Sequence, residues 1–311
     1  MKSAFVALPM ALALAGPALA ADGDTCTKVR FADVGWTDIA ATTGAASVVL
    51  EGLGYQPEVQ LLALPVTFAS LANGDIDVFL GNWMPTMEAD LKPYREKGTI
   101  EVTGINLEGA KYTLAVPKYT FDAGLKSFAD IAKFKSELDG KIYGIEPGND
   151  GNRLILGMIN DGKFDLSGFE LVESSEQGML AEVSRAVKDK KPIVFLGWEP
   201  HPMNARFEMS YLSGGDDIFG PNFGGATIYT NTRKNLAADC PNLGKFVRNL
   251  KFTLPFENEI MGDILDNGAE AKDAAKAWLK VHPDTLTPWL DGVTTRDGKD
   301  GLAAVKASLG L

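Results

Sequence analysis

Short apolar or alternating runs recur along this chain. Each is followed by a stretch with apolar positions three and four residues apart, a pattern that predicts strands alternating with helices. Residues 29–34 read as a strand, and Thr37 or Asp38 is placed to cap a helix running to about Leu53 and stopping at Gly54. Residues 58–64 form a second expected strand, and Pro65 opens a short helix that ends near Gly74. Residues 77–80 are a third, apolar enough to be covered on both faces. The pattern restarts with strands at 112–116 and 141–145, a helix from Asn149 through Ile159, a strand at 169–172, a helix from Ser175 to about Lys188 and a strand at 193–196. After a glycine-rich stretch at 214–225, residues 226–230 read as a returning strand, and from Cys240 onward the pattern is helical. Such alternation predicts an α/β fold with a mostly parallel sheet flanked by helices.

Composition narrows the function classes. With 41 acidic and 30 basic residues the net charge is −11, which argues against nucleic-acid binding, because phosphate neutralisation needs a Lys/Arg surface. Two cysteines and two histidines leave little for a zinc site, and no Walker A or Gly-x-Gly-x-x-Gly pattern points to a nucleotide; no metal and no cofactor are expected. Met1-Lys2, an apolar run from Ala4 to Ala15 and Ala18-Leu19-Ala20 together read as a secretory signal over 1–20. Export to an oxidising compartment makes one disulfide, Cys26–Cys240, the simplest use of the two thiols. That link brings the start of the mature chain and a late segment into one lobe. The expected organisation is a discontinuous first lobe (21–110 and 224–311) around an inserted second lobe (111–223).

An internal echo points to the site. Val-Phe-Leu-Gly-Asn-Trp-Met-Pro at 78–85 resembles Val-Phe-Leu-Gly-Trp-Glu-Pro at 194–200, one copy in each expected lobe. Ligands of open α/β sheets sit beyond the carboxyl ends of strands, so Trp83 and Trp198 are aimed at the cleft between lobes. Trp36 ends the first strand and Tyr112 lies where the chain enters the second lobe. A single tryptophan is ordinarily core, as expected for Trp278 and Trp289, but four aromatic groups at strand ends around one cleft have a specific use. Their negative ring faces attract a cation that cannot donate strong hydrogen bonds, which describes a quaternary ammonium. A carboxylate at Asp38 would favour a net cation over a zwitterion, and Asn149 could hydrogen-bond a hydroxyl. Both residues could instead cap helices. Lys111 would alternate to the far face of its strand, whereas Arg153, near Asn149, keeps a carboxylated ligand open. His201, bracketed by Pro200 and Pro202, reads as an exposed loop residue.

Asp-Val-Gly-Trp-Thr-Asp at 33–38, Gly-Asn-Trp-Met-Pro-Thr-Met-Glu at 81–88, Gly-Ile-Glu-Pro-Gly-Asn-Asp-Gly at 144–151 and Leu-Gly-Trp-Glu-Pro-His-Pro-Met at 196–203 resemble the choline-binding members of the glycine-betaine-type substrate-binding family of ABC uptake systems. The resemblance implies a two-lobed periplasmic binding protein fold with two crossover strands as hinge. It also implies choline, or else acetylcholine, held by Trp36, Trp83, Tyr112 and Trp198, with Asp38 and Asn149 as polar partners. The partners it implies are a membrane permease and its ATPase, serving a monomeric periplasmic protein without catalytic activity. A glycine betaine or carnitine binder is the alternative within the family. A choline-ester-processing enzyme is the alternative outside it, disfavoured by the lack of a Gly-x-Ser-x-Gly elbow and the scarcity of histidine.

Overall fold

The structure, a computed structural model, describes residues 22–311; the expected signal over 1–20 lies outside the described residues. Its strands are β1 (Lys28–Asp33), β2 (Gln56–Leu61), β3 (Val78–Met84), β4 (Ile100–Pro117), β5 (Lys141–Tyr143), β6 (Glu170–Val172), β7 (Phe195–Glu199), β8 (Met209–Tyr211) and β9 (Gly225–Arg233). They join in the order β2-β1-β3-β9-β4-β7-β5-β6, with β8 added to the far end of β4. One arm, β2-β1-β3, is parallel, and so is the other, β7-β5-β6. The pairings between the arms, β3–β9, β9–β4 and β4–β7, are all antiparallel. The sheet is therefore mixed rather than mostly parallel. The strands that pass between arms run against their neighbours, a feature that helix–strand alternation does not reveal.

β4 is the element that spans both halves. Over Ile100 to Lys111 it pairs with β9, and from Lys111 to Ala115 with β7. The sequence pattern predicts no strand over its first half. That half is largely half-exposed and its register slips at three places, so neither a continuous apolar run nor clean alternation marks it.

Helices cover the arms. The helix Thr37–Gly52 follows β1 and packs against Leu254–Asn267, Ala271–Val281 and Gly301–Leu309, all from the C-terminal part of the chain. Phe31, Phe79, Ile39 and Leu50 are buried around the first arm, and Phe128, Phe195 and Phe219 around the second. Pro65 sits in the first turn of Leu64–Asn73, and Gly74 ends that helix with a left-handed residue, as the spacing predicts. The start of Thr37–Gly52 differs from expectation. Trp36 occupies the cap position and offers no side-chain acceptor, while Thr37 and Asp38 lie inside the first turn. Among the described residues, no helix is long and apolar enough to cross a membrane.

The start of the described chain is pinned to the first arm. Cys26 is disulfide-bonded to Cys240. Next to that link the Asp22 carboxylate accepts from the backbone N–H of Asn242 and of Leu243, both at 2.9 Å, and from the Tyr55 hydroxyl at 2.8 Å. Replacing both cysteines with serine should therefore destabilise the protein without unfolding it. We expect a loss of about 2–4 kcal/mol, less than the roughly 5 kcal/mol that chain entropy allows for so long a loop, because Asp22 still holds the segment. Calorimetric scanning should show a midpoint lower by about 5–10 °C. An unchanged midpoint would mean that the noncovalent contacts alone carry this corner.

Candidate functional site

β3 and β7 are apolar strands buried on both faces, and each delivers a tryptophan at its carboxyl end, followed by a cis peptide bond before Pro85 or Pro200. After β1, Gly35 turns the chain with a φ of +86°, a conformation that side-chain-bearing residues avoid, and throws Trp36 toward the same point. β4 brings Tyr112 alongside, directly opposite Trp198 in the ladder. Trp83 and Tyr112 have ring centroids 6.0 Å apart and Tyr112 and Trp198 6.4 Å apart, both at tilted or edge-on angles. With Trp36, Asp38, Ile145 and Asp150, these rings line one cavity.

The polar edges of three of the rings are all occupied. Trp36 donates its indole N–H to Glu146 Oε1 at 2.9 Å, and Trp83 donates to Asp38 Oδ2 at 3.2 Å. The Tyr112 hydroxyl donates to Asn149 Oδ1 at 2.9 Å. Satisfied in this way, the rings are held in orientation and have their faces left for a ligand. Gly151 makes the Tyr112 position possible, because a β-carbon there would collide with the tyrosine hydroxyl.

Carboxyl groups crowd the cavity. Asp38 is buried and its Oδ1 has no hydrogen-bond partner. Burial, with Glu176 close by, pushes its carboxyl up to about 8. Asp150 is fully buried as well, and burial, with Asp90 adding to it, pushes it up to about 6. Its Oδ2 has no partner, the neighbouring Thr86 hydroxyl being donated to the Trp83 carbonyl. Behind these groups burial raises Glu146 to about 7, and burial together with the charge of Asp38 lifts Glu257 well above the carboxylate range. Among the described residues, no lysine, arginine or histidine lines the cavity.

Five of the six ligand residues expected from the sequence, Trp36, Asp38, Trp83, Tyr112 and Trp198, line this one cavity. Asn149 stands behind it. Its Oδ1 caps the helix Asp150–Asn160 by accepting from Asn152 N and also receives the Tyr112 hydroxyl, so it orients a ring. Ile145 and Asp150 join the lining without a signal of their own, although the motif at 144–151 contains both. An acidic residue in a first helical turn ordinarily faces solvent for dipole reasons, which is why Asp150 does not stand out. Arg153 points elsewhere, to the Thr86 carbonyl at 3.1 Å and Asp90 Oδ2 at 2.6 Å. Lys111 lies on the far face of β4, paired with Glu199 at 3.2 Å. His201 is not an exposed loop residue. It is buried, with Nδ1 accepting from Met203 N and Nε2 3.3 Å from Glu176 Oε1. Trp289 is core, and Trp278 packs against the core from a half-buried position.

Comparison with known proteins agrees with this architecture. Residues 27–281 match the family described as the substrate binding domain of ABC-type glycine betaine transport system. An ABC-transporter choline binding protein in complex with choline superposes with a TM-score of 0.92 at 63% identity, over 93% of this chain and all of that one. An ABC-transporter choline binding protein in an unliganded semi-closed conformation gives 0.85 at the same identity and coverage. The glycine betaine/carnitine transport binding protein GbuC of Listeria monocytogenes serotype 1/2a (strain 10403S) is 32% identical over 164 residues, about half of this chain and half of that protein. The present structure is thus more similar to the ligand-bound than to the semi-closed neighbour. By fold and by sequence, this chain belongs to the substrate-binding domains of ABC-type glycine betaine transport systems.

Proposed function

We propose that the protein captures choline in the periplasm, as a monomer and without chemical change, and delivers it to a membrane permease driven by an ATPase. One observation carries the reading. Four aromatic rings and two carboxylates enclose a cavity whose lining has no cationic side chain. A quaternary ammonium gains from the ring faces, from its methyl contacts and from the nearby negative charge. Choline's hydroxyl can donate to an unpartnered carboxylate oxygen of Asp38 or Asp150. Glycine betaine would bring a carboxylate against Asp38 and Asp150, and Arg153, committed to Asp90 and Thr86, does not line the cavity. The high identity to the choline-bound protein supports the same ligand. Trp36, Asp38, Trp83, Tyr112 and Trp198 would contact it, with Asn149 positioning Tyr112. Segments 21–110 and 224–311 would form one lobe and 111–223 the other, closing over the ligand about β4 and β9.

Titration calorimetry tests the assignment. Trp83→Ala or Trp198→Ala should each weaken choline by about 2–4 kcal/mol, through lost ring electrostatics and buried area together. Asp38→Asn keeps an acceptor for the Trp83 N–H but removes charge, so it should weaken choline more than glycine betaine and narrow the gap between them. The uncharged isostere 3,3-dimethylbutanol should bind wild-type protein far more weakly than choline. If it binds equally well, the cavity recognises bulk alone and the assignment fails.

Closure should also depend on pH when no ligand is present. Asp38, Glu146 and Asp150 are raised to about 8, 7 and 6 in the closed cleft, and opening would return each to water and its ordinary range. Closing then takes up protons between the ordinary carboxylate range and about 8, so it is penalised most at and above pH 8 and is relieved as pH falls. Small-angle scattering of ligand-free protein should show compaction between about pH 8 and pH 6, while choline-saturated protein stays compact throughout. Compaction in the reverse direction would contradict this electrostatic account.

A further inference from the structure

The helix Thr37–Gly52 lacks a cap of its own, since Trp36 contributes no side-chain acceptor. Its first N–H is nevertheless satisfied, by a residue 139 positions away. Glu176 Oε2 accepts from Thr37 N at 2.9 Å, and Glu176 Oε1 accepts from the Thr37 hydroxyl. Glu176 begins the helix Glu176–Asp189, which lies between β6 and β7 in the second arm, whereas Thr37 follows β1 in the first. The Glu176 side chain is completely buried. Its third partner is His201, of the same arm. Because His201 Nδ1 accepts from Met203 N, the ring proton sits on Nε2 and is directed at Glu176 Oε1, 3.3 Å away. One carboxylate thus gathers three donors, two from the opposite arm and one that steadies it within its own.

We infer that Glu176 is a positioning residue that holds the two lobes shut over a bound ligand by capping, from the second lobe, the helix that carries Asp38. The inference rests on the ligand-closure reading above. Glu176 meets Thr37 only when the lobes are together, so the contact forms after the ligand has entered and breaks before it leaves. It should therefore slow release and leave capture untouched. Arg153 spans the same gap to Asp90, but its side chain is 40% exposed and the pair is screened by water, whereas the Glu176 contact is dry. Thr37 also immediately precedes Asp38, so the same contact sets the position of a carboxylate that lines the cavity.

Rapid-mixing tryptophan fluorescence with choline and, in parallel, glycine betaine tests this on wild type, Glu176→Gln, Thr37→Val and the double variant. Glutamine can still accept from Thr37 N, but its N–H₂ then takes the place of Oε1, where it no longer accepts from the Thr37 hydroxyl and sets a donor against the His201 Nε2–H. Valine keeps the shape of Thr37 and leaves the Glu176–His201 pair intact. We expect release to be about tenfold faster in Glu176→Gln and severalfold faster in Thr37→Val, with association within about twofold of wild type. The double variant should release no faster than Glu176→Gln alone, because both substitutions break one contact. At pH 8, where ligand-free protein is expected to be open, the melting midpoint of Thr37→Val without ligand should match wild type, since the open form lacks the contact. Unchanged release in either single variant, additive effects in the double, or a loss confined to association would overturn the inference. Wild-type protein that binds betaine but not choline would overturn the choline reading instead, and the release rates measured on betaine would still decide the role of Glu176.

Discussion

Taking a carboxylate out of water costs several kcal/mol unless a positive charge or a proton joins it, and this molecule does so repeatedly around one cavity. Asp38 and Asp150 face the space between the rings, with Glu146, Glu176 and Glu257 close behind and no cationic side chain in the lining. These charges come from both arms of the sheet, so bringing the arms together concentrates them. On the proposed function, a cation that enters first would remove the objection to closing. Selectivity and motion would then share one origin: the ligand that satisfies the carboxylates would also be the one that lets the cleft shut.

The rings depend on the same acids. An indole or phenol facing a ligand must place its polar edge somewhere, and here the acceptors are Glu146, Asp38 and Asn149. Trp36 and Glu146 belong to different arms, so the orientation of one wall is completed only in the assembled cleft. Asp38 serves two ends at once, with Oδ2 fixing Trp83 and Oδ1 left for the cavity.

How much of this is legible in the sequence depends on how local each signal is. The tryptophans at the ends of β3 and β7 are legible because a buried apolar strand, a glycine and a proline all fall within one short motif. The cysteine pairing is legible because only two thiols exist. Glu176 is invisible, since its partners lie 139 and 25 residues away and a glutamate in a first helical turn is ordinary. His201 misleads for the same reason: its proline neighbours suggest a surface loop, and only tertiary packing buries it. The first half of β4 escapes because bulges interrupt its alternation, and the antiparallel centre of the sheet escapes with it.

The position of β9 bears on the order in which the chain can assemble. β1, β2 and β3 are made first, yet the free edge of β3 is covered only by residues 225–233, after the whole of the second arm has been synthesised. The helices that pack on Thr37–Gly52 come later still. The second arm needs only the end of β4 and the residues from there to β8, so it can collapse as a nearly continuous piece while the first waits with an open edge. During that interval the exposed β3 edge is a place where another chain could pair. The half of the protein that begins the sequence is therefore the half that finishes folding.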